Sequence, residues 1–226
     1  MKLLRSAVLI FGVAILGSVF FDRPGIAVDT VVQQKETVGF RWAFGALTGA
    51  GKDRRLVAIT RDTTLRTGDD LKMLVDLQKA CFVYVIYHNS QGVVSLMFPG
   101  KVRQTAPASQ MPITYYIPEG EAWFKLDAHA GRETSYLLAS ARRLTDLEAL
   151  MASYESADAS KKSGLAERVL AHIRELRRQH QRLAATAERP ISIAGNVRGM
   201  TPDLSNLAVE ISAPDFYGKT FTIDHR

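Results

Sequence analysis

The chain has 226 residues, of which 46% are hydrophobic and 23% charged, with a formal net charge of +6. Those proportions exclude a disordered, collagen-like or low-complexity chain, and the length supports a core that needs no disulfide or metal. One cysteine, Cys81, rules out an intramolecular disulfide.

Lys2 and Arg5 precede an apolar run from Ala7 to Phe21, and Gly25-Ile26-Ala27 has the small-x-small form of a signal-peptidase site. The run is shorter than the roughly 20 residues that span a bilayer comfortably. The sequence therefore predicts a signal peptide over residues 1–27, cleaved near Ala27, and a periplasmic or secreted protein. An uncleaved signal acting as a membrane anchor is the competing expectation. No cysteine follows the run to carry a lipoprotein anchor.

Val38, Phe40, Trp42 and Phe44 alternate with Gly39, Arg41, Ala43 and Gly45, the period of a strand with one buried face. Leu47–Arg55 reads as a loop and Leu56–Thr60 as a short strand. After a turn at Gly68, Leu71, Met73, Val75 and Leu77 mark another alternating strand. Cys81–Tyr87 and Val93–Phe98 flank His88-Asn89-Ser90-Gln91-Gly92, which reads as a central hairpin whose first strand is covered on both faces. Lys101–Pro112 reads as a surface loop. Short strands follow at Ile113–Ile117, around Trp123, Phe124 and Leu126, and at Glu133–Ser140. Such short, evenly spaced strands predict a β-sandwich.

The period then changes. Thr145-Asp146-Leu147-Glu148 fits a capping box, and Leu147, Leu150, Met151 and Tyr154 share one helical face. Leu165, Val169, Ile173, Leu176 and Leu183 form the apolar stripe of a second helix that Pro190 would end. Ile191–Val197, Leu207–Ser212 and Lys219–His225 read as strands. The expected fold is mainly β: a sandwich, with immunoglobulin-like or Greek-key connectivity left open, an inserted two-helix hairpin and an N-terminal signal helix. The expected organisation is a signal peptide at 1–27, a sandwich domain at 36–143, a helical hairpin at 144–189 and C-terminal strands at 190–226 that complete the sandwich.

Four stretches carry a family resemblance: L-R-T-G-D-D-L-K-M at Leu65–Met73, C-F-V-Y-V-I-Y-H-N-S-Q-G-V-V-S-L-M-F-P-G at Cys81–Gly100, Y-I-P-E-G-E-A-W-F-K-L-D at Tyr116–Asp127 and G-R-E-T-S-Y-L-L-A-S at Gly131–Ser140. Together they resemble the bacterial family called domain of unknown function 4384, over roughly Gly39 to Arg143. The resemblance implies an exported β-sandwich module and supplies no catalytic residues.

Residue chemistry adds little. Gly45–Asp53 has the look of a phosphate-binding loop, but its spacing is one residue too long and Asp53 stands where Ser or Thr would hold magnesium. His172 and His180 lie two helical turns apart, without the further ligands a metal needs. No G-x-S-x-G elbow occurs, and the carboxylates are scattered. The sequence thus predicts no catalytic, cofactor or metal residues. The candidate contacts are Trp123 and Tyr116, for a ligand or partner, and Arg174, Arg177 and Arg178 of the second helix, for weak attraction to an anionic lipid or polymer. Nucleic acid is not expected. The leading functional expectation is a non-enzymatic module acting by protein–protein contact in the bacterial envelope. A module binding an envelope glycan or small ligand stands second, and a hydrolase with a dispersed site third.

Overall fold

The computed structural model describes residues 37–99, 111–180, 187–190 and 203–226. The expected signal peptide, the strand at 191–197 and most of the loop at 101–112 lie outside the described residues. None of the described helices is long and apolar enough to cross a membrane.

Two sheets face each other. The first contains β1 (Val38–Thr48), β2 (Arg55–Ala58), β4 (Asp70–Leu77), β7 (Ile113–Ile117), β8 (Phe124–Lys125), β10 (Ala187–Pro190) and β11 (Val209–Ala213). Its order is β10-β11-β1-β4-β7, with β2 also paired to β1 and β8 to β4. The second sheet runs β3 (Thr63–Leu65), β12 (Phe216–His225), β9 (Gly131–Ser140), β5 (Phe82–His88) and β6 (Val94–Phe98). All its pairs are antiparallel except β3 with β12. The protein is a mainly β sandwich with two added helices, as its alternating strands predict.

The alternation fixes what each face buries. Phe40, Trp42 and Phe44 of β1 and Met73, Val75 and Leu77 of β4 point between the sheets. Val85 of β5, Leu137 of β9 and Phe221 of β12 meet them from the other side. Phe221 takes Trp42 and Phe44 edge-on, with ring centroids 5.0 and 5.5 Å away, the arrangement that the ring quadrupoles favour.

The opposite phase of the second sheet is also buried. Tyr84, Ile86, Leu138 and Phe216 pack under Leu147, Met151 and Tyr154 of α1 (Thr145–Glu155) and Val169 and Ile173 of α2 (Ala159–His180). This accounts for the unbroken apolar run of β5. On the outside of the first sheet, Ala43 and Leu74 lie under Leu204 and Ala208. Gly45 permits this: a Cβ there would sit 2.6 Å from a Leu204 methyl carbon. Strand β1 is therefore covered on both faces, not one.

Three further expectations are corrected. The Cys81–Phe98 hairpin is not central, because β6 is the edge of its sheet. Thr145 is not an N-cap whose box Glu148 completes. Leu144 holds the cap position without a side-chain bond, and the Glu148 carboxylate is taken instead by the Tyr84 hydroxyl, at 2.7 Å, and the Arg143 guanidinium. Pro190 does not end a helix, because it closes β10, where an edge position spares the missing N–H. Cys81 is buried just before β5, and burial pushes its thiol up to about 11.

Candidate functional site

The inner face of the second sheet changes character at the end where β5 and β12 finish and β9 begins. In β5 the inward positions run Val83, Val85, Tyr87; in β9 they run Leu137, Ser135, Glu133; in β12 they run Phe221, Ile223, His225. The register sets Tyr87 opposite Ser135 and Ile223 opposite Glu133. The same alternation that fills the core thus delivers Tyr87, Ser135, Glu133 and His225 to one interior corner.

These groups form a chain of contacts. The Tyr87 hydroxyl donates to Glu133 Oε2. Glu133 Oε1 lies 3.2 Å from His225 Nδ1, and His225 Nε2 lies 3.1 Å from Thr67 Oγ1. The His225 side chain has no solvent exposure and that of Glu133 only 5%, so Glu133 Oε1 and His225 Nδ1 satisfy each other in place of water. Burial, and then the bond to Glu133, push the Tyr87 hydroxyl far above the ordinary tyrosine range.

Beside this corner is a cavity of about 200 Å³. Its apolar wall includes Phe44, Met73, Val85, Met97, Ile117 and Leu126, and its polar side includes Tyr87, Ser90, Lys125, Asp127, His129 and Glu133. An apolar enclosure with a few convergent polar groups is the usual form of a small-molecule site.

Two loops shape the polar side. Asn89 Oδ1 accepts the backbone N–H groups of Gln91 and Val93, at 3.1 and 2.8 Å, and so closes the β5–β6 turn. Gly131 stands at φ +141°, and a Cβ there would lie 2.6 Å from Ser90 Cβ. Only glycine lets the two loops meet this closely. Ser90 Oγ then donates to the His129 carbonyl at 3.3 Å. Asp127 accepts the His129 N–H at 2.7 Å and lies 3.1 Å from its Nδ1; these bonds hold the Asp127 carboxyl below its ordinary range.

The lysines on this side are already engaged. Lys125 pairs with Asp70 at 2.9 Å. Lys72, although 5% exposed, directs its ammonium to the carbonyls of Gly120 and Ala122. That ammonium also sits 5.4 Å from the Tyr116 ring centroid and 5.6 Å from that of Trp123, in cation–π contact with both.

Tyr116 and Trp123, the aromatic candidates from sequence, are thus brought together, but around Lys72. Trp123 also packs against the Ala43–Leu74 cluster. The neighbouring aromatic Phe124, at 39% exposure, lines the cavity instead. The arginine candidates diverge: Arg174 is exposed, Arg177 donates to Thr220 Oγ1 at 2.7 Å, and Arg178 pairs with Glu175. Among the described residues, no three His, Cys, Asp or Glu side chains are grouped to hold a metal ion.

Sequence reasoning missed Tyr87, Glu133 and His225. Their signal was a polar residue on the inward phase of a strand, three times over, at the same end of the sandwich.

Residues 64–143 match the family model described as Domain of unknown function (DUF4384). The match starts within β3, later than Gly39, where the resemblance begins. It covers β4 to β9 and most of the cavity, but leaves out β1 and β12, which supply Phe44 and His225. No curated protein and no solved structure matches the chain.

Proposed function

We propose that this chain, which carries a DUF4384 domain over residues 64–143, is an exported, non-enzymatic module that binds a small ligand in the cavity at the end of its sandwich. The observation behind the reading is the placement of Tyr87, Glu133 and Ser135 on an inner sheet face, against an apolar wall that includes Phe44, Met73 and Ile117. The glycan alternative gave the ligand to Trp123 and Tyr116, but Lys72 stands within cation–π range of both rings. Protein–protein contact, the first expectation from sequence, draws less support: of the three named arginines of α2, two already have partners in the fold. A thermal-shift screen of small amphipathic compounds tests the reading. Hits should stabilise the wild-type protein and lose their effect in Met97→Trp, which fills the cavity. A screen that yields no stabilising compound, or hits indifferent to the filled cavity, overturns it.

A second reading rests on one contact. Asp127 engages Nδ1 of His129, the way a carboxylate orients an imidazole for general-base work through Nε2. Hydrolysis of a chromogenic ester panel by the wild-type protein, abolished in His129→Ala, would favour this hydrolase over a pure binder.

A further inference from the structure

The small-ligand reading leaves the ligand's chemistry open, and the hydrogen-bond ledger around the cavity narrows it. Tyr87, Ser90 and His129 on the polar side use donors within the protein, and Ser135 and Asn89 add neutral polar groups to the lining. The Tyr87 hydroxyl gives its proton to Glu133, the Ser90 hydroxyl to the His129 carbonyl, and the His129 N–H to Asp127. The two lysine ammonium groups are committed to Asp70 and to the carbonyls of Gly120 and Ala122.

The acceptors are not spent. An ionised carboxylate offers about four lone-pair sites. Asp127 meets the backbone N–H and ring of one residue, His129. Glu133 meets one hydroxyl and one imidazole. Asp127 is largely exposed, and its depressed pKa keeps it charged at neutral pH. What remains for a ligand is therefore negative charge and acceptor capacity beside an apolar wall.

We propose that the cavity binds a small amine: a primary ammonium held by Asp127 and Glu133, with an aliphatic tail against Phe44, Met73, Val85 and Ile117. This rests on the small-ligand reading above. A volume of about 200 Å³ suits a tail of a few carbons. A ligand with a carboxylate head would face two carboxyl groups, while Lys125, the exposed lysine of the lining, already pairs with Asp70. A neutral alcohol could fill the cavity but would forgo the charge-assisted bond, about twice as strong as a neutral one.

The test is calorimetric titration of the full chain with three probes of equal tail length: n-hexylammonium, 1-hexanol and hexanoate. It is run at pH 8, well below the value of about 10.4 at which an alkylammonium such as lysine's titrates, so that the amine probe stays charged. Hexylammonium should bind at least tenfold more tightly than hexanol, with hexanoate weakest. Asp127→Asn, an exposed substitution that spares the core, should remove most of that preference while hexanol binding stays the same. Glu133→Gln serves as the second variant, with circular dichroism to verify its fold. Hexanol binding as tightly as hexylammonium overturns the amine assignment and leaves the cavity reading standing. A preference that survives both variants overturns the role of these carboxylates. Binding of none of the three probes overturns the amine proposal, while the screen against Met97→Trp decides the small-ligand reading separately.

Discussion

Glu133 and His225 meet inside the sandwich, 3.2 Å apart, although 92 positions separate them in the chain. Strand β9 brings one and β12 the other, and both side chains are closed to solvent. Such a contact cannot be lost from one side without stranding the other. Glu133→Ala should lower stability in urea by about 3 kcal/mol, since it removes the partners of both the Tyr87 hydroxyl and His225 Nδ1. His225→Gln should cost about 1–3 kcal/mol, and the Glu133–His225 double-mutant cycle should show non-additivity above about 0.5 kcal/mol. Additive losses would mean that the two residues act independently.

Three tyrosines, Tyr84 and Tyr217 buried and Tyr87 half-buried, donate to glutamates: Tyr84 to Glu148, Tyr87 to Glu133 and Tyr217 to Glu188. Burial foremost, and the acceptor carboxylate with it, raises each hydroxyl's pKa. The folded protein then holds these protons to higher pH than the unfolded chain, whose tyrosines titrate near about 10. Stability present below that pH must fall as pH rises beyond it. Cys81, held up to about 11 by burial, acts in the same direction from its own lower starting point. Alkaline titration should therefore show phenolate absorbance and Cys81 alkylation rising together with loss of circular dichroism. Phenolate from all seven tyrosines ahead of unfolding would contradict this.

One hydroxyl of the sheet holds the start of α1 at two points. Tyr84 Oη accepts the Leu144 N–H at 3.1 Å and donates to Glu148 at 2.7 Å. Tyr84→Phe should destabilise by about 1–3 kcal/mol and speed amide exchange in the first turn of α1. Glu148→Gln keeps an acceptor and should cost less than Glu148→Ala. Equal losses for the two would remove the hydrogen bond from the account.

Gly131→Ala tests the loop junction. It adds a Cβ where Ser90 already stands, at a φ of +141° that other residues seldom adopt. A loss of about 1–3 kcal/mol is expected from the backbone conformation alone. Ser90→Gly in the same chain should recover the steric part but not the conformational part, as read by melting temperature. Full recovery would show that φ contributes nothing.

Strand alternation was legible because period two is imposed by the backbone itself: β1, β4, β5 and β12 are visible as runs, and Phe221, Ile223 and His225 share a face as their spacing predicts. Pairing was less visible. Nothing local distinguishes β6 as an edge, since an edge is defined by which neighbours are absent. Glu148 deceived for a related reason: its spacing from Thr145 matches a capping box, but Tyr84 of the sheet competes for the carboxylate and wins. The site was least legible, because Tyr87, Glu133 and His225 become neighbours only through the register of β5, β9 and β12.

Strand β12 lies between β3 and β9 in its sheet yet follows every other strand in the chain. A nascent polypeptide can form the β9-β5-β6 portion early, but the far edge of β9 stays unpaired until β12 docks along all ten of its residues. Completion of the sandwich is thus deferred to the latest segment synthesised among the strands. Until then the chain has an unclosed seam that other molecules could occupy, so its half-made state is the one a chaperone would need to shield.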